Sequence, residues 1–191
     1  MVTFNWLQFL KDYSHELASF NQLLDWAEAP EAAREEQWFG FPPATNDQIV
    51  NAEQLLKISL PDDIRAFYRV TNGWMVCGHS VYDIRPIEKL CWLSDGSPDL
   101  WSICKVDLDP PEDEGEREWW YEQGVKVCRS LMLNTRGADS TLLFDPEADV
   151  TTNELRFGEW AAWNPAMVWT ALSLTEFFEQ SRAISRDIGT T

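Results

Sequence analysis

Two helix signals between residues 42 and 74 constrain the fold of this chain more than any other feature. Thr45 and Gln48 form a capping box, in which the Thr45 hydroxyl accepts from the Gln48 amide and the Gln48 side chain reaches back. The box predicts a helix over about 46–56. Its inner face is expected to carry Ile49, Ala52 and Leu56.

A second helix is predicted to begin at Pro61, because proline suits the first turn, where its missing N–H costs nothing. Asp62 and Asp63 follow in that turn, where the helix dipole favours negative charge. Asn72-Gly73 is expected to end the helix, since glycine tolerates a left-handed C-cap. The buried face should contain Ile64, Phe67 and Tyr68.

The N-terminal region also carries a helical pattern. His15 falls on the polar side of the first helix, and Pro30 is placed to open a second, short one. We interpret residues 1–35 as an N-terminal helical extension of a single domain that spans 1–191. The apolar face of the first helix is predicted to contain Trp6, Phe9, Leu10, Tyr13, Leu17 and Phe20.

After Gly73 the pattern becomes alternating and aromatic, which favours strands. Asn134 to Gly137 suits a hairpin turn, and Ser173 to Glu176 forms a second capping box that opens a final helix. One side of that helix should carry Leu174, Phe177, Phe178 and Ser181. The predicted strands are Ser80–Ile84, Lys89–Leu93, Leu100–Val106, Lys126–Asn134, Ser140–Phe144 and Leu155–Trp163. This order predicts an α+β fold with an antiparallel-rich mixed sheet flanked by helices.

The segment from Trp38 to Trp74 resembles the start of the SUKH superfamily, which includes the Smi/Knr cell-wall regulators of fungi and many bacterial immunity proteins. The shared features are a helix, then Leu60-Pro61, then a helix that ends in Asn72-Gly73-Trp74. Later matches are Leu-Leu-Phe-Asp-Pro at 142–146, Gly-Glu-Trp at 158–160 and the closing Ser-Leu-Thr-Glu-Phe-Phe-Glu at 173–179.

The resemblance covers about residues 36–182 and implies a SUKH-like (Smi/Knr) α+β core. For bacterial members it implies direct binding and neutralisation of a protein toxin, without catalytic residues. The fungal members suggest an alternative, a regulatory or scaffolding domain in a cell-wall or signalling assembly. Trp74 is expected in the core, because Trp is heavily buried on average.

The charge balance restricts the class of partner. The chain has 15 basic and 32 acidic residues, a formal net charge of −17. Binding to nucleic acid or to an anionic membrane surface is not expected, because both depend on Lys and Arg. The sequence has no run of roughly 18 apolar residues and no basic leader before an apolar stretch. We therefore expect a cytoplasmic protein.

Motifs for reaction chemistry are absent from the sequence, which has no GxSxG elbow, HExxH or Walker loop. The four cysteines have irregular spacing, and small buried hydrophobes are the default interpretation. Cys77 and His79 alone are too few for a zinc site. Asp139, Asp145 and Asp149 lack EF-hand spacing and suit turns. No enzyme, metal or cofactor is expected, although a Trp-lined pocket with isolated carboxylates would favour an enzyme.

The stretch from Asp107 to Glu118 is the most unusual part of the sequence, with seven carboxylates and one arginine in a predicted loop. One interpretation is a solvated loop. The other is a surface that attracts a basic protein toxin, with a tryptophan pair on a following strand as buried anchors. The candidate partner-binding residues are Asp107, Asp109, Glu112, Asp113, Glu114, Glu116, Glu118, Trp119 and Trp120.

Overall fold

A computed structural model of the chain describes residues 4–105, 116–137, 140–161 and 164–189. Within these ranges the α-helices are α1 Trp6–Leu17, α2 Asn21–Trp26, α3 Glu31–Glu36, α4 Asn46–Leu56, α5 Asp62–Val70, α6 Leu93–Gly96, α7 Pro98–Lys105, α8 Glu116–Cys128 and α9 Leu174–Gly189. The strands are β1 Cys91–Trp92, β2 Leu131–Met132, β3 Ser140–Phe144, β4 Phe157–Ala161 and β5 Asn164–Ala171. Single 3-10 turns lie at Ile87–Lys89 and Val150–Thr152.

The two helix signals near the start of the resemblance are confirmed. Helix α4 spans the predicted residues, and both bonds of the capping box form, with Gln48 N donating to Thr45 Oγ1 at 3.2 Å and Thr45 N donating to Gln48 Oε1 at 2.8 Å. Helix α5 follows Pro61. Glu53 of α4 joins the two helices, because its carboxylate accepts from Leu60 N and from Arg65 Nε. The predicted inner residues of both helices are buried.

Trp74 lies at the centre of the main hydrophobic core. Its side chain is fully buried, and its indole N–H donates to Val76 O at 2.7 Å. Helix α1 belongs to the same core, since the Trp6 ring packs edge-on against Phe67 and Phe178. Tyr13, on the same helix, is also fully buried. The apolar face of α1 therefore packs against the region that resembles the family.

The sheet has five strands in the order β1-β2-β3-β4-β5, and every neighbouring pair is antiparallel. Its two faces contact different clusters, because successive side chains of a strand point to opposite sides. On β3, Leu142 and Phe144 face the main core, while Leu143 between them faces a second, smaller cluster. The sheet thus has an apolar layer on each face.

Two predicted strands are helical in the structure. The stretch predicted as Leu100–Val106 forms helix α7, and most of the first half of Lys126–Asn134 belongs to α8, leaving only β2 as a strand. Leu100 and Cys104 are buried one helical turn apart. Short apolar runs fit both periods, so that periodicity alone could not separate helix from strand here.

The other strand predictions are partly correct. Strand β3 has the predicted bounds. Ser80–Ile84 makes only isolated bridges, at Val81 and Ile84, and Lys89–Leu93 contains the short β1 after a 3-10 turn. Leu155–Trp163 contains β4, but the long β5 was missed.

Gly73 has a different role from the predicted C-cap. Helix α5 ends at Val70, its C-cap Thr71 has an extended conformation, and Gly73 lies beyond it with a φ of 105°. A Cβ atom there would lie 2.8 Å from Ile84 O, the oxygen that accepts from Trp74 N. Glycine is needed because the chain turns sharply against its neighbour.

Among the described residues, no helix combines the length and the apolar character needed to span a bilayer.

Candidate functional site

The predicted partner-binding residues fall into two groups. Asp107, Asp109, Glu112, Asp113 and Glu114 lie outside the described residues. The remaining ones belong to helix α8, whose backbone is described while their side chains are not; they are Glu116, Glu118, Trp119 and Trp120. The sequence prediction was therefore wrong in extending the loop to residue 118 and in placing the tryptophan pair on a strand. Glutamates suit the first turn of a helix, which explains the earlier start.

Helices α7 and α8, which flank the acidic segment, pack on the second face of the sheet. Leu100 and Cys104 of α7, Val127 of α8 and Leu143 of β3 are buried together in the second cluster. Trp169 of β5 packs at the margin of this cluster. Its indole N–H donates to Gln123 Oε1 on α8 at 2.8 Å. Helices α7 and α8 are therefore both fixed to the sheet.

Ion pairs hold the C-terminal half of α8. Arg129 makes a bidentate pair with Asp145, at 3.0 Å to Oδ1 and 2.7 Å to Oδ2, and the aspartate side chain is fully buried. Lys126 lies 2.9 Å from Glu154 Oε1 and 4.4 Å from the centre of the Trp169 ring. The hydrogen bond from the Asp149 backbone N–H to Glu154 lowers the pKa of the Glu154 carboxyl, and the hydrogen bond from Lys126 lowers it further.

A groove of about 470 Å³ opens on the same face of the sheet, beside the second cluster. Met132 and Trp160 pack at the margin of that cluster and also line the groove, together with Thr141. Trp26, at the end of α2, and Tyr82 line it as well. We call this cavity the aromatic groove.

The polar rim of the aromatic groove is held in place from below. Asp83 is buried, and its Oδ1 accepts from Thr135 N at 2.8 Å and from Arg136 N at 2.7 Å. The Arg136 guanidinium donates from Nη1 to Ala27 O at 2.7 Å and lies 3.5 Å from Glu28 Oε2. The single guanidinium of the rim is therefore engaged with groups of the chain itself.

Trp26 is the most exposed aromatic side chain of the aromatic groove, with 41% of its surface accessible. Its ring lies 5.1 Å from the ring of His79, measured between centroids. His79 thus contacts an aromatic ring, and Cys77, two residues earlier, is fully buried with its thiol pKa raised by burial. Among the described residues, no group of three or more His, Cys, Asp or Glu side chains could hold a metal ion.

Glu159 is a half-buried carboxylate of the sheet with a raised pKa. Burial raises the pKa of Glu159, on β4, while a hydrogen bond from Ser80 opposes this shift. Glu159 alternates with Gly158 and Trp160 and therefore faces away from the aromatic groove. It is not part of that surface.

The fold and this surface define an α+β protein whose antiparallel sheet carries helices on both faces. The sequence profile of the SMI1 / KNR4 family (SUKH-1) matches residues 43–180. The chain belongs to this family, which confirms the resemblance read from the motifs. A search of curated proteins returns no match.

Sequence reasoning missed the aromatic groove. Its residues come from distant parts of the chain, including α2, the segment around Tyr82, the turn around Arg136 and strand β4. No periodic pattern in the sequence predicts that Trp26 and Trp160 lie close together. The abundance of tryptophan, with eleven in the chain, was the only available signal, and it could not separate rings in the core from rings at the surface.

Proposed function

We propose that this protein is a binding module that recognises and neutralises a cognate protein toxin with a basic surface, and that it catalyses no reaction. The observation that carries the proposal is membership of the SUKH-1 family across residues 43–180. The net charge of −17 supports a cationic partner, because opposite fields steer association. Toxins that act on nucleic acid commonly carry basic surfaces, since their substrate is polyanionic.

The packing around the acidic segment supports a role in binding. Helices α7 and α8 carry the two ends of that segment and are fixed to the sheet by the second cluster and by the pair of Arg129 with Asp145. Ile103 of α7 is 60% exposed close to one of those ends and offers an apolar contact.

The direct test is co-expression with the product of an adjacent gene, scored by growth rescue and by co-purification of the two full chains. We expect rescue together with a stable complex. Rescue without a complex, or a complex that leaves the toxin active, would contradict neutralisation by binding.

A second test addresses the acidic segment. Simultaneous replacement of Glu112, Asp113 and Glu114 by Ser should slow association with the toxin and leave stability nearly unchanged. The matched control replaces the exposed carboxylates of α3 by Ser, which removes the same charge elsewhere; these are Glu31, Glu35 and Glu36. Equal slowing by both variants would assign the effect to net charge, and unchanged rates in the first would place the contact elsewhere.

A further inference from the structure

We propose that the aromatic groove is the anchor point of the partner and that it takes an arginine side chain from the partner's surface. The inference rests on the proposed function, since it names the chemistry by which a basic protein is held.

The size and lining of the groove suit one long side chain. Two tryptophans and a tyrosine line a cavity of about 470 Å³, which is large enough for such a side chain. Helices α6 to α8 cover the second sheet face at Leu143 and leave Met132, Thr141 and Trp160 accessible at its end. A side chain inserted into the groove would therefore pack beside the second cluster and extend the apolar layer on this face of the sheet.

Charge at the rim favours a cation. Glu28 lines the groove with its Oε2 3.5 Å from the Arg136 guanidinium, while the buried Asp83 carboxylate accepts from the backbone N–H of Arg136. Because Arg136 already donates to Ala27 O, it leaves the Glu28 side chain, which is 80% exposed, open to an additional cation. A chain of net charge −17 adds to this negative field.

The aromatic rings of the groove have the chemistry to hold a cation. A cation over the face of Trp or Tyr is attracted by the ring quadrupole, and the planar guanidinium of arginine also stacks on such faces. The structure itself contains this contact in intramolecular form, with Lys126 above Trp169 and Lys105 above Trp101. Trp26, with its exposed ring, offers the same interaction to a partner.

The test uses the peptide acetyl-Gly-Arg-Gly-amide as the probe, titrated into the full chain labelled with ¹⁵N, with the indole N–H resonances followed by NMR. The resonances of Trp26 and Trp160 should shift saturably, while those of Trp74 and Trp101 stay fixed. The neutral isostere with citrulline in place of arginine should bind several-fold more weakly. Shifts spread over all indoles, or equal affinity for citrulline, would overturn the proposal.

Substitutions of groove residues test where the peptide binds. Trp26→Leu should weaken peptide binding several-fold, and Glu28→Gln about two- to three-fold, because each removes one attraction for the cation. Trp160→Leu should also weaken peptide binding, and an unchanged melting temperature would show that this variant is folded. The control Trp101→Leu lies in the second cluster outside the groove and should leave binding intact. Wild-type affinity in Trp26→Leu and Glu28→Gln would place the peptide elsewhere.

The same variants separate this inference from the proposed function. If growth rescue by the adjacent-gene pair persists in the Trp26→Leu Glu28→Gln double variant, the groove is not the anchor, although the chain still neutralises a toxin. If the peptide binds at Trp26 but no toxin is neutralised, the groove is a cation site and the proposed function fails. Loss of both peptide binding and rescue in the folded double variant supports the inference.

Discussion

Single buried hydroxyl groups connect distant parts of this chain. The Tyr13 hydroxyl donates to Cys77 O at 2.7 Å and lies 3.1 Å from Ser185 Oγ, so that one phenol links α1, the segment after Trp74 and α9. The Tyr68 hydroxyl donates to Arg85 O at 2.9 Å. Burial raises the pKa of both phenols above the usual range, and both therefore remain protonated donors.

Gly73 provides the sharpest test at the residue scale. Gly73→Ala should lower the free energy of unfolding by about 1–3 kcal/mol, because alanine resists a φ of 105° and its Cβ would press on Ile84 O. The control is Gly78→Ala, whose Cβ would meet Ser181 Cβ at an ordinary 3.6 Å. Urea unfolding followed by tryptophan fluorescence measures both. Equal losses in the two variants would contradict a special role for Gly73.

Glu16 predicts a pH dependence of stability. Its carboxylate accepts from Arg182 Nε at 2.9 Å and from Arg186 Nη2 at 2.6 Å, and these bonds lower the pKa of Glu16 to about 2. Because the folded-state pKa lies below the ordinary value of 4.5, the stabilisation is present above about pH 4.5 and is lost as the pH falls toward 2.

Glu16→Gln should therefore cost about 1–2 kcal/mol at pH 7, after allowance for partial exposure, and the difference from wild type should shrink toward pH 3. Urea unfolding across this pH range measures the difference. The control Glu179→Gln changes an exposed carboxylate of α9 and should have little effect. A difference that stays constant with pH would contradict the ion-pair explanation.

Elements of this fold differ in how strongly their own sequence specifies them. Helices α4 and α5 and the start of α9 were predicted because capping residues and prolines mark their ends locally. In the capping box of α9, the Ser173 hydroxyl accepts from Glu176 N as expected. The Glu176 side chain, however, accepts from Leu172 N, one residue before the expected donor.

Helix α7 begins at Pro98 with Asp99 in its first turn, and α8 begins with glutamates, but their apolar residues match both helix and strand and were interpreted as strands. Contact with the second face of the sheet buries the helical spacing of Leu100 and Cys104.

Arg129 and Asp145 test the attachment of α8. Arg129→Ala should reduce the free energy of unfolding by about 2–4 kcal/mol, because it leaves the buried Asp145 carboxylate without its bidentate partner. Adding Asp145→Asn should recover part of this loss, so the double-mutant cycle should show coupling of about 1 kcal/mol or more. Additive effects in urea unfolding would indicate that the pair does not hold the helix.

At the scale of the whole molecule, charge governs how the chain meets a partner. Acidic residues outnumber basic ones 32 to 15, while several of the basic ones are engaged in ion pairs inside the fold. The outward field is therefore negative. This field affects the rate of encounter, whereas the buried contacts determine how long a complex lasts.

The association rate with the toxin should fall about tenfold or more between about 0.05 and 0.5 M salt, because the screening length shortens from well above 10 Å to a few ångströms. Stopped-flow fluorescence measures this rate, and the dissociation rate should change much less. A flat salt dependence of association would contradict electrostatic steering.

The sequence by itself determined the α+β class, the family and the helices with local end signals, because capping, proline placement and hydrophobic spacing act between residues a few positions apart. Tertiary structure alone decided that α7 and α8 pack on the second face of the sheet, that β5 completes the sheet, and that Trp26 and Trp160 meet at one groove. These outcomes depend on surfaces brought together from distant positions, and the exposure of a side chain is a property of what packs around it.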